Sequence, residues 1–371
     1  MTSADFVPPV VGDGSGLEPS PSLHAEELQL ASRNYALPLE ALRYDVTPTG
    51  LHYTLVHYDI PAVDAGTWRM SVDGTVLNPS SLTLTDLQRR PQRTLRVTIE
   101  CAGDGRALLS PRPISQPWLT GAVGTAEWTG TPLRPLLEEA GLDASTVEVL
   151  FTGLDRGIEG GVEQVYQRSL PLAEALHLDA LLAWSMNGQP LGPQHGYPLR
   201  LVIPGWYGMA HVKWLSAVTA LSEPFAGYQQ AVAYRYSASR NEPGEPVTFM
   251  RVRSLMVPPG LPDFLTRTRL VDRGLVPITG RAWSARSPIA MVEVSTDNGR
   301  SWAKAELDTA SASEPHAWQA WRYDWRAEAA GEYTLVCRAT DAGGAVQPVE
   351  QYWTARGMGN NMAHRVTVRV R

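Results

Sequence analysis

Apolar and polar positions divide the chain into two parts of different character. From Leu28 to about Leu221, strand-like and helix-like runs interleave irregularly. TWRMSVDG (67–74) and TLRVTIEC (94–101) read as strands, and STVEVLFTG (145–153) and PLRLVIPG (198–205) as apolar, β-branched core strands. PLRPLLEEAGL (132–142) reads as a helix, with Pro132 near its first turn and Gly141 at its end. LPLAEALHL (170–178) carries apolar residues at helical spacing and reads as a second. After about Pro246 the period falls to two. MVEVSTDNGRSWAKAEL (291–307) predicts a hairpin turning at Asn298-Gly299. EYTLVCRATDAGG (332–344) predicts a strand ending in turn residues, and HRVTVRVR (364–371) places Val366, Val368 and Val370 on one face. Several short strands and no long helix point to a β-sandwich of immunoglobulin-like size. The expected class is α+β: a tail over 1–24 rich in Pro, Gly, Ser and acids, a mixed α/β domain over 25–240, and an immunoglobulin-like β-sandwich over 241–371.

Composition narrows the function. The 371 residues are comfortable for two domains, and 43% apolar against 19% charged residues excludes wholesale disorder. A net charge of −6 disfavours coating of nucleic acid. No run approaches the length of a transmembrane helix. The N-terminus lacks a basic region and a twin-arginine signal, so the chain as given reads as cytoplasmic, and as periplasmic only with a leader removed. Cys101 and Cys337 differ so much in context that two free thiols are expected rather than a bridge. Neither GxGxxG nor GxxxxGK[ST] occurs, and His24, His52, His177, His316 and His364 lack zinc-ligand spacing.

Three stretches could carry chemistry. Cys101 closes a core strand and is followed by AGDGR, which sets Arg106 close to the thiol. Such a cysteine is a nucleophile or soft-metal ligand, or else a small core residue. HGYPLRLVIPGWYGMAHVKW (195–214) brings His195, Arg200, His211 and Lys213 around a glycine loop that could hold a phosphate, the alternative being a surface hairpin with scattered charges. TARGMGNNMAHRV (354–366) interrupts the β pattern and could project Arg356, or could be a plain inter-strand loop. Trp118 reads as packing and Cys337 as core.

Taken together, ECAGDGR (100–106), GAVGTAEWTGTPLRPLLEEAG (121–141), FTGLD (151–155), MNGQPLGPQHGYPLRLVIPG (186–205) and HVKWL (211–215) resemble the sulfite oxidase family of molybdenum enzymes. The later segments, through ATDAGGAVQP to RGMGNNMAHRV, resemble that family's immunoglobulin-like dimerisation domain. The resemblance implies a molybdenum–molybdopterin cofactor and makes Cys101 the molybdenum-binding thiolate. It implies that Tyr53, His57, Asp155, His195, Arg200, His211, Val212 and Lys213 hold the pterin and its phosphate. Arg106, Trp118, Tyr234 and Arg356 would line the anion pocket, Tyr234 fitting better than Tyr236 by its distance from GYQQ. The implied activity is oxidation of sulfite to sulfate by oxygen-atom transfer in a homodimer. With no haem domain in this chain, electrons would pass to an external acceptor such as a c-type cytochrome.

The sequence also departs from the family pattern. An arginine–asparagine pair usually precedes the histidine of LHYTLVHYDIP (51–61), where Leu55 and Val56 stand here. Arg33-Asn34 offers the same dipeptide but lies too far upstream to align, and no role is expected for it. Loss of one pocket arginine should remove a contact of about 1.5–3 kcal/mol and weaken sulfite binding. Asp104 replaces the family's asparagine and adds a negative charge beside the metal loop. Leu55 keeps open a relative acting on another sulfur species, like a sulfane dehydrogenase subunit, and more remotely nitrate or sulfoxide reduction. Outside redox chemistry, the residues alone also admit a cysteine hydrolase using Cys101 with His195 or His211, or a cofactor-binding protein without turnover.

Overall fold

A computed structural model describes residues 24–239, 241–308 and 314–371. Apart from His24, the expected N-terminal tail lies outside the described residues.

The first part is built on two sheets. One has the order Ser80–Leu82, Met70–Gly74, Leu215–Leu221, Glu148–Glu159, Val162–Pro171, with Met70–Gly74 and Leu215–Leu221 parallel and the other neighbours antiparallel. The other runs Arg93–Glu100, Val123–Pro132, Leu181–Met186, Gln189–Pro190, with Arg200–Val202 also on Leu181–Met186. Leu182 packs into one apolar cluster while Leu181 and Ala183 pack into another, so this second sheet is buried on both faces. The Leu133–Ala140 helix buries Leu133, Leu136, Leu137 and Ala140, the i, i+3, i+4, i+7 stripe of its sequence. It ends at Gly141 in the left-handed region, at φ 67°.

The expected second helix is only one turn, Leu172–Ala175. Ser169 and Leu170 are instead paired with Leu150 and Val149 as the end of a strand. Periodicity over nine residues could not show that sheet partner, and helix begins only after Pro171. The strand read as 145–153 continues to Glu159, carrying Asp155 along it.

The second part is the expected two-sheet sandwich. Arg253–Val257, Gly274–Trp283, Gln319–Ala327 and Glu306–Leu307 form one sheet. The other has Arg269–Val271, His364–Val370, Gly331–Asp341 and Ile289–Ser295 at its centre. Val366, Val368, Val370 and Cys337 point into the core between them. The Ile289–Ser295 hairpin turns at Asn298 and Gly299, both at positive φ (61° and 87°).

The two parts are not cleanly separate bodies. Leu255, Trp283, Trp318 and Met358 of the sandwich pack into the main core of the first part. The 354–361 loop also clasps the turn after Cys101. Gly359 N–H donates to the Ala102 carbonyl at 2.6 Å, and Asn360 Nδ2 to the Gly105 carbonyl at 3.0 Å. At Gly357, φ is 62° and a Cβ would come within 2.6 Å of Arg106 Cγ, so this approach needs glycine. No helix among the described residues is long and apolar enough to cross a membrane.

Candidate active site

Cys101 follows the Arg93–Glu100 strand at the point where the chain leaves the sheet. Its N–H donates to the Ala122 carbonyl at 2.8 Å, and its carbonyl accepts from Asp104 N–H at 3.0 Å, closing a tight turn. Backbone pairing on both sides therefore fixes the thiol. It is 7% exposed and lies on the wall shared by two cavities. Burial pushes it up to about 11, opposed by the Arg106 guanidinium, Gly103 N–H and the Trp118 indole.

The first cavity is part-open, with about 640 Å³ of space between its lining residues including its mouth. Tyr53, His57, Asp155, His195, Arg200, His211 and Lys213 all line it, although they come from segments up to 160 residues apart in number, from 53 to 213. Arg200 donates to the carbonyls of His195 (3.1 Å) and His211 (3.3 Å) and stacks over Trp128 at 4.6 Å. Lys213 Nζ donates to the Leu55 and Gln194 carbonyls at 2.7 and 3.0 Å. Burial, with Arg200 nearby, pushes its ammonium down to about 7, while Asp155 opposes the shift. Burial pushes Asp155 up to about 7.

Several buried polar atoms here have no protein partner among the described residues: Arg200 Nε, His195 Nε2 and Asp155 Oδ1. Each would cost about 1–3 kcal/mol if left dry and unpaired, so the cavity wall is suited to a polar occupant. Two cations, an acid and several histidines around this space beside a thiol suit an anionic, ring-containing, sulfur-bearing cofactor such as molybdopterin.

Two of the expected contacts behave differently. Val212 does not join the lining: its side chain is core, its N–H donates to Ala210 and its carbonyl accepts from Leu201. The strand-to-turn register that aims His211 and Lys213 at the cavity turns Val212 away. His211 reaches the wall, yet its Nδ1 accepts from Ile203 N–H and its Nε2 donates to the Trp206 carbonyl. The ring therefore supports the loop and offers no nitrogen to an occupant.

The second cavity, a cleft of about 1210 Å³, meets the first at Leu55, His57, Cys101 and Tyr234. Arg106, Trp118 and Arg356 line it, Arg356 arriving from the sandwich. Arg106 is held by the Arg356 carbonyl (3.0 Å), the Gln116 carbonyl (2.8 Å) and Met358 sulfur (3.5 Å). Tyr234 follows a wide turn over Gln229–Ala233 and faces both cavities, its hydroxyl 2.6 Å from His57 Nε2. Tyr236 points elsewhere, against Arg251 at 4.7 Å.

Sequence reasoning missed three features. His52 lines the first cavity beside Tyr53, and its position next to Tyr53, already expected at the pterin, was the available signal. Arg33 lines the cleft, and Asn34 Oδ1 accepts from Val56 N–H at 2.8 Å, so the dipeptide set aside as too far upstream packs directly against Leu55–His57. Finally, the charge of Asp104 is matched: Arg253 of the sandwich bridges Asp104 at 2.9 Å and Glu100 at 2.5 Å. Among the described residues, no group of three or more His, Cys, Asp or Glu side chains is placed to hold a metal ion, so a metal here would need a non-protein ligand as well as Cys101.

Comparison with known proteins agrees with this geometry. Residues 57–229 match the oxidoreductase molybdopterin-binding domain, and 245–371 the Mo-co oxidoreductase dimerisation domain. The chain is 36% identical to mitochondrial sulfite oxidase of Mus musculus over 343 residues, covering 88% of this chain and 62% of the relative's length. It is 30% identical to sulfite oxidase of Arabidopsis thaliana, covering 88% of each. The solved sulfane dehydrogenase SoxCD from Paracoccus pantotrophus superposes with a TM-score of 0.75 at 25% identity, over 90% of this chain and 85% of that one.

Proposed function

Since this chain belongs to the sulfite oxidase family of molybdopterin oxidoreductases, we propose that it oxidises sulfite to sulfate. The observation that supports this reading best is the position of Cys101, whose thiol lies between a polar cavity and an arginine-lined cleft. When bound, molybdopterin would supply the molybdenum redox centre and the oxo group that passes to sulfur.

The chain's own residues do the rest. Cys101 would present its thiolate to the metal. Arg200 and Lys213 would pair with the pterin phosphate, and Tyr53, His57, Asp155 and His195 would face the ring system. Arg106 and Arg356 would bind the sulfite oxygens and hold the sulfur toward the Cys101 wall. Trp118 would complete that wall beside Arg106. The Tyr234 hydroxyl, fixed by its hydrogen bond to His57, stands where the two cavities meet and can hold or release a proton there. In balance, sulfite and water give sulfate, two protons and two electrons, and the electrons leave singly to an external acceptor, for example a c-type cytochrome.

A second reading, oxidation of a sulfane-type sulfur, is favoured by the apolar Leu55 on the cleft wall. The dimerisation-domain match supports a homodimer, and Leu261, Phe264 and Leu265 expose apolar surface on the sandwich at 65%, 87% and 85%. The matched mouse enzyme is longer than this chain, which spans 62% of it.

Elemental analysis of protein made in a host that supplies the cofactor should find about one molybdenum per chain, with sulfite-dependent reduction of ferricyanide by the same sample. Molybdenum without sulfite turnover would favour the sulfane reading. No molybdenum would overturn both. Lys213→Met removes the ammonium but keeps most of the stem, and should weaken cofactor retention about 10- to 100-fold. Released pterin fluorescence and molybdenum content after gel filtration check this; wild-type values would remove Lys213 from the phosphate site.

A further inference from the structure

The arginine-lined cleft has a third cation that comes from outside both matched domains. Arg33 is the last residue of the Ala25–Arg33 helix, and its exposed side chain lines the cleft together with Cys101, Arg106, Tyr234 and Arg356. Its NH2 group lies 3.5 Å from the His57 carbonyl, at the rim where the two cavities meet. Among the described residues no carboxylate pairs with it. Among the described residues the one acid lining the cleft, Glu159, is engaged by Tyr58 Oη at 2.9 Å and Gln229 Nε2 at 2.6 Å.

The segment that carries Arg33 is fixed in place. Tyr35 and Thr54 exchange backbone hydrogen bonds at 3.2 and 2.9 Å. Asn34 is buried and makes three bonds: Oδ1 accepts from Val56 N–H, and Nδ2 donates to Gln116 Oε1 (2.8 Å) and to the Leu30 carbonyl (3.1 Å). Gln116 in turn gives its backbone carbonyl to Arg106. One residue thus ties the helix end, the Leu55–His57 wall and the Arg106 loop together. Further out, the fully buried Glu27 pairs with Arg112 at 2.5 Å and seats the helix against that loop. A surface helix without a role at the site would not need an asparagine buried between two walls of the cleft. Leu55, its neighbour on the wall, offers only apolar surface.

We propose that Arg33 is a substrate-binding residue that, with Arg106 and Arg356, selects a small doubly charged sulfur oxyanion, and that Asn34 is its positioning residue. The inference rests on the oxyanion reading of the cleft given above. It assigns to the N-terminal helix a part in specificity that the two matched domains lack.

The test uses the cofactor-loaded chain and two readouts. In Arg33→Ala, KM for sulfite should rise about 10- to 100-fold with a much smaller change in kcat, because a binding contact is lost. Sulfate affinity, measured by calorimetry without turnover, should fall in parallel. Arg33→Lys should recover part of both. Because Arg33 is exposed, its variants should melt with the wild type. A guanidinium returned from the other wall, in Arg33→Ala combined with Leu55→Arg, should restore affinity. If sulfate affinity and KM stay within about twofold in Arg33→Ala, the assignment of Arg33 is overturned and the oxyanion reading stands. If the wild type binds neither sulfate nor sulfite in the millimolar range, the oxyanion reading itself fails, and this inference with it.

Discussion

Cys101→Ser is expected to give a folded protein that retains much of its pterin and has lost turnover by about 10³-fold or more, since an alcohol is a far poorer ligand than a thiolate for a soft metal–sulfur centre. The fold should survive because what Cys101 gives it is backbone: an N–H to Ala122 and a carbonyl to Asp104. Pterin should remain because the residues around the polar cavity, Arg200 and Lys213 above all, are untouched. Three measurements on one preparation check this: thermal unfolding, pterin content, and sulfite-dependent ferricyanide reduction. Unchanged oxidation rates would remove Cys101 from the metal site and revive the reading of a small buried residue. Loss of fold and pterin together would instead make Cys101 a packing residue.

Arg253→Ala is expected to be the most destabilising single change near the site, by about 3–5 kcal/mol, because removing one member of a buried ionic cluster strands the others. Arg253 is 1% exposed and bridges Glu100 and Asp104, while Trp283 Nε1 donates to the other Glu100 oxygen at 2.9 Å. Burial already pushes Glu100 up, and Arg253 is the largest influence holding it down. Without Arg253, two carboxyls remain in an apolar junction on either side of Cys101. A drop in melting temperature of about 4–6 °C follows from the usual entropy of unfolding for a chain of this size. Neutralising the stranded acids as well, with Glu100→Gln and Asp104→Asn, should recover most of the loss. A single Arg253→Ala variant that melts with the wild type would show that the cluster is not the junction between the two parts. The same cluster explains Asp104: its charge answers an arginine delivered by the sandwich strand.

Much of this was readable in the sequence, and the limits are physical. The Leu133–Ala140 helix and the His364–Val370 strand follow from periods of 3.6 and 2, which are local properties of the chain. The 170–178 run failed because Leu170 obeys a sheet neighbour across the fold, Val149, rather than its own helical spacing. Val212 failed because alternation within a short segment turns every second side chain away from the cavity. Tyr234, preferred over Tyr236 by its distance from GYQQ, faces both cavities because of where the Gln229–Ala233 turn releases the chain.

By itself the sequence determined the motifs around Cys101, the cationic run from Arg200 to Lys213, and the order of an α+β part followed by a sandwich. These are short-range: each is set by residue type and by spacing within a few turns or strands. Only the tertiary structure decided that Arg356 enters the cleft from the sandwich, that Arg253 balances Asp104, and that Arg33 and Asn34 pack against Leu55–His57. Those meetings join positions 22 to 250 residues apart, as Asn34 with Val56 and Arg106 with Arg356 do. Their energy comes from burial and from hydrogen bonds that exist only once the separate segments have been brought together, and no spacing along the chain encodes that distance.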